Sequence, residues 1–186
     1  MPIAINGSGS ITGISAGGLP DGCVTADDLA SGVGGKILQV VQATSDSQVS
    51  TTSTSYIDTP LSASITPTAT SSKILIRYNM NVAMDNDTYI AFYQIVRGST
   101  AIGNGNQGTN RTKCHSALRG QHSDTNPHGV TSGEFRDSPS TTSATTYKIQ
   151  FKVDGGTGFI NRSDSSSDAA VHPSPLSSLT LMEVAA

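Results

Sequence analysis

The sequence predicts an all-β protein: an antiparallel jelly-roll sandwich behind an extended N-terminal arm with one short helix. Three observations carry this. Ser and Thr fill about a quarter of the chain, and Thr favours strands while Ser favours turns. Short runs alternating apolar and polar residues recur with turn residues between them. After Gly35 no segment carries the apolar spacing of a helix of useful length. Short, evenly spaced strands with long Ser/Thr loops indicate a sandwich or jelly roll.

Residues 1–35 form the arm and residues 36–186 the body. The arm holds nine of the 19 glycines, and the first basic residue is Lys36. It has too few large apolar side chains to offset its own ordering entropy. It is therefore expected to gain order on neighbouring copies or within a larger assembly. Ile3, Ile5, Ile11, Ile14 and Leu19 are its docking candidates, set among Gly, Ser and Thr as in extended segments lying along a partner. Leu19-Pro20-Asp21-Gly22 is a turn signal. Thr25–Ala30 resembles a capped helical turn, with acidic side chains at its positive end. Ser31–Gly35 ends that turn and acts as a hinge.

The body reads as strands. Lys36–Ala43 is the first, and Ser55–Pro60 and Leu61–Ile65 follow around Pro60. Lys73–Met84 is the clearest, with Ile74, Ile76, Tyr78, Met80 and Val82 on one face and Arg77, Asn79 and Asn81 opposite. Thr88–Arg97 is apolar on both faces, which points to a strand covered on both sides. A sandwich needs only its inner faces apolar, so Ile90, Phe92, Tyr93 and Val96 are candidates for an interface between subunits. A short strand is expected around Ile102 and another through Lys113–Leu118. The rest of Asn104–His128 reads as a long exposed loop, with Asn106, Arg111, Arg119, His122 and Asp124 as residues facing a receptor. Gly133–Asp137, Tyr147–Val153, Gly158–Asn161 and Leu179–Val184 complete the strands.

Composition excludes several function classes. The net charge of −3, with 11 scattered basic residues, argues against nucleic-acid binding, which needs clustered Lys and Arg. No apolar run approaches the roughly 20 residues that cross a bilayer as a helix. The start lacks the pattern of a signal peptide, so assembly in a cytoplasm is expected, with Cys23 and Cys114 as free thiols.

Chemistry-bearing motifs are weak. Gly13-Ile14-Ser15-Ala16-Gly17 matches the spacing of a nucleophile elbow, but no strand precedes it and it reads as low-complexity sequence. His115, His122 and His128 lie near Cys114 and Asp124, which in a trimer offers a metal reading; the spacing matches no standard site, and exposed loop histidines fit better. Asp85-Asn86-Asp87, Asp154, Asp164 and Asp168 carry oxygen ligands suited to calcium but read more simply as turns. No catalytic residue, metal site or cofactor is assigned. Tyr56, Tyr78, Tyr89, Tyr93 and Tyr147 occupy strand positions that suit a core or an interface, and with no Trp a sugar-stacking groove has little support.

Several stretches resemble a known family. They are Ser72–Ile76, the Tyr93–Thr100 hairpin, Asp137–Ser140, Tyr147–Gln150 and Ser178–Val184. Through them the body looks like the C1q/TNF-like trimeric jelly roll, as in phage structural proteins. The arm, through Gly13–Gly22 and Val24–Ala30, is similar to N-terminal connectors of tail-fibre-type proteins from phages of aquatic bacteria. The resemblance spans nearly the whole chain and rests on patterns, with no catalytic signature. It implies a homotrimeric, non-enzymatic virion protein assembled in a host cytoplasm. Its expected partners are itself, other virion proteins through residues 1–35, and a host surface glycan or protein; no nucleic acid and no membrane insertion are expected. A short tail fibre or spike-like appendage is the first form of this expectation, a capsid decoration or cement protein the second. A soluble C1q-like carbohydrate-binding module is a third reading, from a different class.

Overall fold

A computed structural model describes residues 4–5, 11–12, 36–120, 128–165 and 167–186. In the arm, β1 (Ala4–Ile5) and β2 (Ile11–Thr12) pair antiparallel. In the body, β3 spans Ile37–Ser45, β4 Val49–Thr51, β5 Ile57–Ile65, β6 Lys73–Met84 and β7 Ile90–Arg97. These are followed by β8 (Thr100–Ile102), β9 (Ser116–Arg119), β10 (Gly129–Asp137), β11 (Thr145–Val153), β12 (Gly158–Ile160) and β13 (Ser177–Val184). Among the described residues there is no helix; the helical turn expected at 25–30 lies outside them.

The body is a sandwich of two antiparallel sheets. In the first, β6 carries β10 along one edge, and β13 and then β12 along the other. Beyond those lie β3, on β13, and β4, on β12. The sheet is thus four ranks wide. The second sheet runs β5, β11, β7, with β8 and β9 sharing the last edge. Counting β3–β4, β8–β9 and β12–β13 each as one interrupted strand gives eight strands, in the orders 1-8-3-6 and 2-7-4-5.

Alternation builds the core. Ile74, Ile76, Met80, Leu179 and Leu181 of the first sheet face Leu61, Ile65, Tyr93, Ile95, Tyr147, Ile149 and Phe151 of the second. Each such aliphatic or aromatic side chain taken fully out of water stabilises the fold by about 1.5–3 kcal/mol. Tyr93 and Phe151 stack at 6.1 Å between ring centroids. The sheets also meet at their edges. Gln39 Nε2 donates to the Thr66 carbonyl on one side, and the Ser116 and Thr131 hydroxyls join β9 to β10 on the other.

The strands expected around Pro60 are one strand. β5 runs through the proline because it ends the second sheet and its pairing with β11 is bulged between Lys148 and Gln150. A proline, which has no N–H to donate, is tolerated at such an edge. The Thr59 hydroxyl fills in at the bulge, donating to the Ile149 carbonyl and accepting from the Leu61 N–H. β10 begins at Gly129, four residues before the expected Gly133, because its polar side chains Ser132, Glu134 and Arg136 occupy the exposed face.

Candidate interaction surfaces

The outer face of the second sheet holds the expected subunit interface, and the structure divides those four residues. Tyr93 points inward and is 1% exposed, and Val96 on the opposite face is 2% exposed. Both are buried within the chain itself and offer a partner no surface. Ile90 and Phe92 are half-buried and face outward with Gln94 and Val96. The two-sided apolar pattern of β7 thus has an intramolecular cause. The segment between β8 and β9 reaches back over this face: Asn104 Nδ2 donates to Gln94 Oε1 at 3.3 Å, and the Tyr56 hydroxyl donates to the Lys113 carbonyl at 3.0 Å.

A directed hydrogen-bond chain crosses this face. Gln94 Nε2 donates to Gln150 Oε1 (2.8 Å), and Gln150 Nε2 donates to Asp58 Oδ1 (2.7 Å). Lys148 Nζ binds the other Asp58 oxygen at 2.8 Å. The hydrogen bonds from Lys148 and Gln150 lower the Asp58 carboxyl below its usual range. Beside the chain, Lys152 Nζ sits 5.3 Å from the Tyr56 ring centroid and 5.6 Å from that of Phe92, a double cation–π contact. Burial, with a smaller contribution from Cys114, pushes the Tyr56 hydroxyl up to about 12. Burial likewise raises the Cys114 thiol, against the opposing charge of Lys152.

Of the receptor-facing candidates, Asn106 and Arg111 are exposed in the loop. Arg119 lies on β9 rather than in a loop, and its Nε donates to the Asp87 carbonyl at 2.8 Å. His122 and Asp124 lie outside the described residues, as do Ile3, Ile14 and Leu19 of the arm. Ile5 and Ile11 are register partners in the antiparallel β1–β2 pair.

His115 is a packing residue. Its Nδ1 lies 2.9 Å from the Gly103 carbonyl, and its ring stands between Tyr78 and Phe135. Gly133 makes room for it: a Cβ there would come within 2.5 Å of both the His115 and Tyr78 rings. His128 is exposed. Among the described residues no three His, Cys, Asp or Glu side chains are grouped to hold a metal. Asn86 and Asp154 serve the turns, accepting from the Thr88 and Ile90 N–H groups.

The sequence reading missed the outer face of the first sheet. Register sets its side chains in rows. Lys73, Val184 and Ile37 are aligned at one end; Arg136, Leu75, Met182 and Val40 come next; Glu134, Arg77, Thr180 and Gln42 follow. Beyond them lie Ser132, Asn79, Ser178 and Thr44. Ile37, Leu38 and Val40 are 55%, 46% and 57% exposed. Arg77 Nε meets Glu134 Oε2 at 3.1 Å in open solvent. A shallow depression of about 470 Å³ lies among Arg77, Asn79, Ser132, Glu134, Ser178 and Thr180. Alternation within Lys36–Ala43 held the signal, but only the pairing of β3 with β13 says which residues share the outer face.

Compared with known proteins, the chain matches no family model and no curated protein.

Proposed function

We propose that this chain is a non-enzymatic structural component of a bacteriophage virion. In this reading it is a trimeric short tail fibre or spike-like appendage, attached through residues 1–35 and meeting the host surface through its loops. The observation that carries it is the strand order, 1-8-3-6 over 2-7-4-5. That is the order of a jelly roll, the architecture of many capsid and receptor-binding domains. The glycine-rich, lysine- and arginine-free composition of residues 1–35 supports a docking role for the arm. Ile90 and Phe92 remain the trimer-contact candidates on β7. The broad outer face of the first sheet, where Ile37, Leu38 and Val40 are exposed, favours a second reading, a capsid decoration protein lying flat on a neighbouring surface.

Mass spectrometry of purified virions separates the two, since a fibre is present in few copies per particle and a decoration protein in hundreds. Deleting residues 1–35 is expected to leave a folded body that no longer joins virions. Incorporation of the truncated chain would refute the docking role, and absence of the full chain from virions would refute the whole reading.

A further inference from the structure

Charge and apolar surface coincide on the outer face of the first sheet. Lys73, Arg77 and Arg136 point outward there against one carboxylate, Glu134. They border the apolar row of Leu75, Met182 and Val40, with Leu38 beside it. The rest of the charge distribution is the counterpart. All 11 Lys and Arg of the chain lie in residues 36–186, and so do all but three of its 14 Asp and Glu. The body is therefore formally neutral, and the net −3 resides in the arm, as Asp21, Asp27 and Asp28. Those carboxylates are interspersed with Leu19, Val24 and Leu29, so the arm is both acidic and apolar.

We propose that the outer face of the first sheet receives residues 1–35 of a second copy of this chain. The arm's carboxylates meet Lys73, Arg77 and Arg136, and its aliphatic side chains cover Val40, Leu75 and Met182. The inference rests on reading residues 1–35 as a docking connector and names that connector's partner. Every copy carries both halves of the contact, so the interface is heterologous and closes into a ring or extends as a chain. Opposite charge steers the encounter and fixes its register, while covering the apolar row supplies affinity.

Sedimentation velocity of the full-length chain, over a concentration series at low and high salt, tests this. The wild-type chain is expected to self-associate, and less so at high salt, because the charges are solvent-exposed. Reversing the face (Lys73→Glu, Arg77→Glu, Arg136→Glu) is expected to weaken association by about tenfold or more. Reversing the arm (Asp21→Lys, Asp27→Lys, Asp28→Lys) is expected to do the same, and it touches no residue of the body's core. Combining both sets restores complementarity and is expected to restore association. A full-length chain that stays monomeric would overturn the proposal, including the case of an arm seated on its own body. So would association indifferent to either reversal, or no rescue by the combination. Failure here leaves the virion reading to stand or fall on the presence of the full chain in purified virions, and the docking role on incorporation of the chain lacking residues 1–35.

Discussion

Glu183 is a fully buried carboxylate with donors on both of its oxygens. Gln39 Nε2 binds one oxygen at 2.6 Å, and the Thr68 N–H and hydroxyl each bind the other at 2.7 Å. Burial alone would raise its carboxyl; these hydrogen bonds outweigh it and bring the pKa down to about 2 from an ordinary 4.5. The folded state thus holds the proton less tightly than the unfolded chain. The stabilisation is complete above about pH 4.5 and is lost as pH falls toward about 2. Replacing Glu183 by Gln sets its NH2 against the Thr68 or the Gln39 donor, whichever way the amide turns, and is expected to cost about 1–3 kcal/mol near neutral pH. Urea denaturation across the acid range checks this: wild-type stability should fall between pH 4.5 and 2, and the variant's dependence should be flatter there. An equally steep variant would remove Glu183 as the cause. The role was not legible in the sequence, where Glu183 is one polar residue in an alternating strand. Its partners stand 144 and 115 positions away along the chain and meet it only through the fold.

Between elements, the ends of β10, β7 and β11 are tied across the two sheets by one carboxylate. Arg97 Nη1 reaches both Asp137 oxygens, at 3.0 and 2.8 Å, and the Tyr147 hydroxyl donates to Oδ2 at 2.7 Å. Burial first, and then the Asp137 carboxylate, push the Tyr147 hydroxyl well above its usual value. Asp137→Ala would strand a guanidinium and a buried hydroxyl together and is expected to cost about 3–5 kcal/mol. Tyr147→Phe removes one hydrogen bond to a charged acceptor and is expected to cost about 1–3 kcal/mol. Equilibrium denaturation checks the ranking; equal losses in the two variants would mean that Arg97 finds another partner. The strands themselves were largely readable. Ile74, Ile76, Tyr78, Met80 and Val82 alternate so regularly that β6 could be placed to the residue. Thr88–Arg97 misled in a different way. Its two apolar faces were visible, but a single sequence does not say whether another subunit or the chain's own Asn104 and Lys113 segment lies over the outer one.

At the scale of the whole molecule, the hydrophobic core among the described residues runs from Leu61 to Leu181, with Val41, Ala43, Val49 and Ile57 packed against it. The core residues named all lie in the body, so the chain starting at Ile37 is expected to unfold cooperatively within about 2 °C of the full-length protein under conditions where both are monomeric. Differential scanning calorimetry reads this directly, and a large drop would mean that the arm stabilises its own body. A change of composition falls between Gly35 and Lys36 in the sequence. The surfaces were not legible there. Rows on a sheet face are set by which strands are neighbours, and the order 1-8-3-6 places side by side strands that lie far apart along the chain.

Pro60 has a consequence for crowding. Where copies of a β-sheet protein are crowded together, an open strand edge invites a neighbour's backbone to add to it. β5 ends the second sheet, and Pro60 with the bulge opposite it interrupts the row of backbone donors there. The edge cannot be read in continuous register by another strand. Copies held close together can therefore meet through side chains while their sheets stay separate.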